Sequence, residues 1–177
     1  APKPVMNFGS GKNKIIIFVA FGLVTLVILI VGISFLLSLG KANNEDLIGV
    51  RASQTELIRI IELGKKDTTD IALKNRMASL QALVTSDESK LEDLMSKRNV
   101  EITKVQLGAK KDASIDDSLE SAKQQGNYDE ALLNEISKLS NEYYDALKKS
   151  LSEATTKTEK ELLNTAIYNL EATASSK

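Results

Sequence analysis

Residues 69–97 read TDIALKNRMASLQALVTSDESKLEDLMSK, and their spacing decides the fold. Leu73, Met77, Leu80, Val84, Asp87, Leu91 and Leu94 follow one another at alternating steps of four and three. Residues spaced this way share one face of an α-helix, while the intervening positions face away. The stretch therefore predicts one long amphipathic helix that turns a narrow seam toward partner helices.

Working outward, the same period recurs. On the N-terminal side a helix is expected from Asn44, with Glu45 and Asp46 in its first turn, where acids suit the helix dipole. Its stripe is Leu47, Val50, Gln54, Leu57 and Ile61, and Gly64-Lys65-Lys66 reads as its stop. On the C-terminal side comes a polar stretch from about Arg98 to Gln125, with a loop at LGAKKDAS and a short helix capped by Ser114. Asn127-Tyr128-Asp129-Glu130 has the spacing of a capping box. The helix that follows carries Leu132, Ile136, Leu139, Tyr143, Ala146 and Ser150. A last helix from Thr158 carries Leu162, Ala166 and Leu170. Amphipathic helices of this length are marginal alone, and an antiparallel four-helix bundle over 44–175 buries all four stripes. Tight turns after Gly64 and near 154–157 make two hairpins, so the polar middle becomes a long crossover.

Ahead of this domain, KNKIIIFVAFGLVTLVILIVGISFLLSLGK spans Lys12 to Lys41, with no charged residue from Ile15 to Leu39. Crossing a bilayer takes about 20 helical residues, and a signal-peptide core only about 7–15. Ser38-Leu39-Gly40 has the small residues of a cleavage site, but the run is too long for one. The expectation is an uncleaved single transmembrane helix over 15–39, after a flexible tail at 1–14 rich in Pro and Gly. Lys3, Lys12 and Lys14 precede the run without any acid, which favours a cytoplasmic N-terminus and a bundle outside the cell membrane, periplasmic or extracellular. Gly32, Ser34, Ser38 and Gly40 are small residues on neighbouring faces that allow packing against a partner span.

Composition narrows the chemistry. The chain contains no His, Cys or Trp and has a net charge of −1. Without His or Cys, the common zinc sets and the Ser-His and Cys-His nucleophile pairs are excluded. Mixed charge without a basic stripe lacks the footprint of nucleic-acid binding. No enzyme, cofactor or metal is expected.

Two hairpins joined by a long middle connection resemble ferritin-like bundles. RMASLQALVTSDESKLEDLMSKRNVEI (76–102) and LESAKQQGNYDEALLNEI (119–136) are similar to a family of secreted bacterial domains of unknown function with that fold. The family's second helix typically has Asp-His before a leucine-rich turn, and its third opens with Gly, an aromatic residue and Asp. Here the corresponding residues are Asp87-Glu88 and Gly126-Asn127-Tyr128-Asp129. The histidine is missing, and with it the Glu-x-x-His pair of a di-iron centre, so no iron site carries over. The LemA family also places a helical bundle after an N-terminal span, but its early Arg-rich segment is not evident here.

Three residues stand out as contacts with a partner or as determinants of helix register. Asp87 is a carboxylate within an apolar seam. It reads either as a buried group that sets register or binds a ligand, or as a wet bend at TSDES where Ser86 or Asp87 caps a restarted turn. Gln54 interrupts the first stripe as register-setting polar residues do. Tyr143 and Tyr144 are adjacent and cannot both face the core, so Tyr144 is a candidate surface contact, while Tyr128 and Tyr168 read as structural. The charged run KLEDLMSKR (90–98) reads as a solvated helix face.

The expected role is a membrane-anchored structural or interaction subunit whose partners are the bilayer and other protein chains, its own copies included. One alternative is an extracytoplasmic ligand-binding sensor, disfavoured by the lack of a second span in this sequence. The other is a pilin-like filament subunit, although fourteen residues precede the apolar run here.

Overall fold

The computed structural model describes residues 44–175. Six helices account for nearly all of this segment, and among the described residues there is no strand. They are α1 (Asn44–Asp67), α2 (Ile71–Lys97), α3 (Lys104–Leu107), α4 (Ala113–Gln125), α5 (Tyr128–Glu153) and α6 (Lys157–Ser175). A single 3-10 turn, Gly108–Lys110, follows α3.

The expected fold class needs one correction. The described structure is all-α, but no helix among the described residues is long and apolar enough to cross a membrane. The physical reason is that every long helix interleaves charged side chains with its apolar stripe. The expected single-pass span at 15–39, with Gly32, Ser34, Ser38 and Gly40, lies outside the described residues.

The four long helices are locked by contacts that fix their directions. Lys65 Nζ bonds Gln81 Oε1 at 2.9 Å near one end of the α1–α2 pair, and Arg51 meets Glu92 at 2.9 Å nearer the other. These helices are therefore antiparallel. At opposite ends of the α1–α5 contact, Lys149 Nζ lies 2.6 Å from Asp46, and Gly64 abuts Leu132, so this pair is antiparallel too. Arg98, closing α2, pairs with buried Glu159 in the first turn of α6. The Tyr144 hydroxyl of α5 reaches Glu171 of α6 at 2.6 Å. The long helices run up, down, down and up, each antiparallel to its two neighbours.

The crossover between α2 and α5 runs from 98 to 127, and α4 carries it back along the bundle. Arg59 of α1 grips it. The guanidinium makes a bidentate pair with buried Glu56 at 2.7 and 2.8 Å and reaches Asp116 of α4 at 2.6 Å. Those two carboxylates raise the guanidinium's pKa, with the Glu56 hydrogen bond the largest cause. Glu56 also accepts the backbone N–H of Asp112 at 3.2 Å. A buried carboxylate thus anchors an otherwise polar connection, as its desolvation requires.

Local signals differ from the expectation at several helix ends. α1 does not stop at Gly64 but continues to Asp67. Gly64 is there because α5 passes close by: an added Cβ would sit 2.6 Å from Leu132 Cδ2. Asp70 caps α2, accepting from Ala72 N at 2.7 Å and Leu73 N at 3.1 Å. Asp112, not Ser114, caps α4. Asn127 makes no side-chain cap, so the expected capping box is not formed. Gly126 instead ends α4 in the left-handed region, at φ 78°, a conformation that costs glycine nothing.

Leu47, Val50, Leu57, Ile60 and Ile61 of α1 meet Leu73, Met77, Leu80, Val84, Leu91 and Leu94 of α2 in one continuous core. Leu132, Ile136, Leu139, Tyr143 and Leu147 of α5 complete it, with Leu163, Ala166, Ile167 and Leu170 of α6. Ile115 and Leu119 tack α4 onto its side.

Candidate functional site

Two features depart from a closed apolar bundle: a polar layer in its middle and a groove at one end.

The polar layer is built on α1 and α2. Gln54 is 0% exposed, and its amide donates to the Val84 carbonyl at 2.7 Å while its Oε1 accepts from Arg51 Nη1. Arg51 is 2% exposed, and its other terminal nitrogen pairs with Glu88 at 2.7 Å and Glu92 at 2.9 Å. Asp87 is 1% exposed; one of its oxygens lies 3.8 Å from Lys90 Nζ. Among the described residues, three buried polar atoms here make no hydrogen bond: Arg51 Nε, Asp87 Oδ2 and the Tyr143 hydroxyl. Burial raises the Asp87 carboxyl above its ordinary range, and Lys90 opposes that shift. Burial also raises the Tyr143 hydroxyl, reinforced by the charge of Asp87 and opposed by Arg51 and Gln54. The helix runs unbroken through Thr85–Lys90, so TSDES is neither a bend nor a restart.

The groove lies where the start of α2, the start of α5 and the end of α6 converge. Leu73, Met77, Leu80, Leu133, Ile136 and Leu170 form an apolar floor around a cavity of about 270 Å³. Its rim is polar: Arg76 from α2, Ser137, Ser140, Asn141 and Tyr144 from α5, and Glu171 and Thr173 from α6. Tyr144 is half-buried, and its hydroxyl donates to Glu171 Oε1. The Lys148 ammonium lies over its ring, 5.1 Å from the centroid. This proximity raises the Lys148 pKa, the tyrosine hydroxyl being the largest cause and Glu171 a smaller one. α6 holds its position at the other end through Arg98–Glu159, and the groove opens where that tether is most distant.

The sequence-derived candidates thus separate. Gln54 and Asp87 belong to the buried layer, and Tyr144 belongs to the groove wall. Tyr168, expected to be structural, is 70% exposed on α6. The charged run 90–98 is not only a solvated face: Glu92 and Arg98 tie α2 to α1 and α6. Sequence reasoning missed Arg51, which lies one helical step from Gln54 but off the apolar stripe. It also missed Arg76, an exposed cation between Leu73 and Leu80. Among the described residues no group of three or more His, Cys, Asp or Glu is disposed to hold a metal ion.

Comparisons with family models, curated proteins and solved structures returned no match. The ferritin-like and LemA-like resemblances therefore rest on the sequence segments alone.

Proposed function

We propose that the bundle is a ligand-binding module whose site is the groove between α2, α5 and α6. One observation carries this reading: a cavity of about 270 Å³ with an apolar floor and a polar rim lies between α2, α5 and α6. Ligand sites are concave, mostly apolar and edged by a few polar groups, with volumes of about 300–1,000 Å³. This groove has that composition, with a volume just below the range. Its side chains include neither His nor Cys, which favours binding over catalysis.

A neutral apolar reporter, N-phenyl-1-naphthylamine, tests the reading on the full chain. Its fluorescence should rise on binding, and Ser140→Leu should remove the increment that belongs to the groove. The apolar run at 15–39 is common to both proteins, so the difference between them isolates the groove. Equal signals would refute a ligand site there.

A second reading, a structural or interaction subunit, is favoured by Tyr168 and Ile71, large apolar side chains 70% and 73% exposed. Chemical cross-linking followed by size analysis tests it, and a strictly monomeric chain with no co-purifying protein would rule it out.

A further inference from the structure

The groove's dimensions limit what can enter. Leu73 to Leu80 covers about 10 Å of α2 at 1.5 Å per residue. A partner helix of that length and about 10 Å diameter would occupy on the order of 800 Å³. The cavity holds about 270 Å³, so a docked helix does not fit inside it, while a single extended hydrocarbon chain does. The floor is entirely Leu, Ile and Met, which present aliphatic surface along the length of the groove.

The rim carries one charge of each sign, Glu171 and Arg76. Glu171 is already engaged by the Tyr144 hydroxyl at 2.6 Å, and its charge acts on Lys148. Arg76 is exposed at the rim, and among the described residues its side chain makes no ion pair or hydrogen bond. The rim therefore holds a solvated guanidinium without a protein partner, one helical turn from the apolar floor at Leu73 and Leu80. A guanidinium is the side chain best shaped to take a carboxylate through two parallel hydrogen bonds.

Resting on the ligand-binding reading above, we propose that the groove takes a free aliphatic carboxylate of medium chain length, its hydrocarbon on the Leu-Ile-Met floor and its head on Arg76. Apolar burial supplies most of the affinity, at about 0.8 kcal/mol per CH₂ removed from water. The guanidinium selects the sign of the head group.

Decanoate, decanol and decyltrimethylammonium share one chain and differ in the head. Each is titrated below its micelle concentration into full-length protein with labelled Leu, Ile and Met methyls. The expected result is saturable shifts of the Leu73, Met77, Leu80, Ile136 and Leu170 methyls, with decanoate binding tightest. Arg76→Gln, an exposed substitution, should weaken decanoate about tenfold and leave decanol unchanged. Ser140→Leu should abolish the shifts with decanoate and decanol alike; its own methyl spectrum verifies the fold. If decanol binds as tightly as decanoate, or Arg76→Gln has no effect on decanoate, the anionic ligand class is overturned while the groove survives as a site. If none of the three probes moves these methyls, both this proposal and the ligand-binding reading fall.

Discussion

The middle of the bundle and its open end are built of opposite materials. In the middle, Arg51, Gln54, Asp87 and Tyr143 are polar and sealed from water. At the open end, Leu73, Leu80, Leu133 and Leu170 are apolar and border a cavity. Each arrangement lowers stability relative to a closed aliphatic seam: the first through desolvated polar atoms, the second through apolar surface left uncovered. What each provides is different. The Gln54 amide must meet the Val84 carbonyl while Arg51 reaches both Glu88 and Glu92. Sliding α2 by one turn, about 5.4 Å, would leave Arg51 only one of its two glutamates and carry Val84 away from Gln54, so the layer favours the observed register. The aliphatic contacts around it would tolerate such a slip far better. The open end does not fix register; it leaves space.

Four substitutions test this contrast, the largest expected effect first. Arg51→Met should destabilise the protein by about 2 kcal/mol, because buried Gln54 loses its partner inside the seam while the more exposed Glu88 and Glu92 lose a shared cation. Urea unfolding measures the loss, and an unchanged midpoint would mean the layer does not set register. Asp87→Asn should instead stabilise the protein at neutral pH, by about 1 kcal/mol, since an ionised carboxyl with one orphaned oxygen is replaced by a neutral isostere.

The effect of Asp87 depends on pH with a definite sign. Its folded pKa lies above the unfolded value of about 3.9, so the native state holds its proton longer. Its penalty is absent below the unfolded pKa, grows as pH rises to the folded value and is constant above it. The charge acting on it is Lys90 from its own helix, while Asp87 and Arg51 in turn act with opposite sign on Tyr143 of α5. The gain from Asp87→Asn should therefore vanish in acid; a gain independent of pH would contradict the buried, ionised carboxylate.

Tyr143→Phe should be neutral or stabilising by up to about 1 kcal/mol, because it removes a hydroxyl without a hydrogen-bond partner and keeps the ring. A clear loss of stability, measured in the same urea series, would show that the hydroxyl is needed in the layer. At the open end, Ser140→Leu should raise the midpoint slightly, by about 0.5 kcal/mol, by covering part of the apolar floor. If it destabilises, the groove is already filled by neighbouring side chains.

The seam of α2 could be read from its sequence almost residue by residue, since Leu73, Met77, Leu80, Val84, Asp87, Leu91 and Leu94 are all buried. A strict period leaves only one face that can go inward. Gly64 was not legible in the same way. A glycine before two lysines reads as a stop, whereas here it makes room for Leu132, a residue 68 positions on. Tyr168 fits no stripe, and its exposure follows from the rotation of α6, which a local pattern does not specify. The buried layer was half legible. Gln54 and Asp87 broke their stripes and drew notice, but Arg51 has its carboxylate partners 37 and 41 residues away. The groove left no mark at all, because Leu73, Leu80, Ile136 and Leu170 read as ordinary core.

Local period and residue type were enough for the all-helical character of residues 44–175 and the inward face of α2, and composition alone removes histidine and cysteine chemistry. The tertiary structure alone decided which polar side chains are sealed into the core and which apolar ones border an open cavity. Both outcomes depend on how closely helices distant in sequence approach one another. Arg98–Glu159 holds α2 and α6 together at one end, and the groove opens at the other.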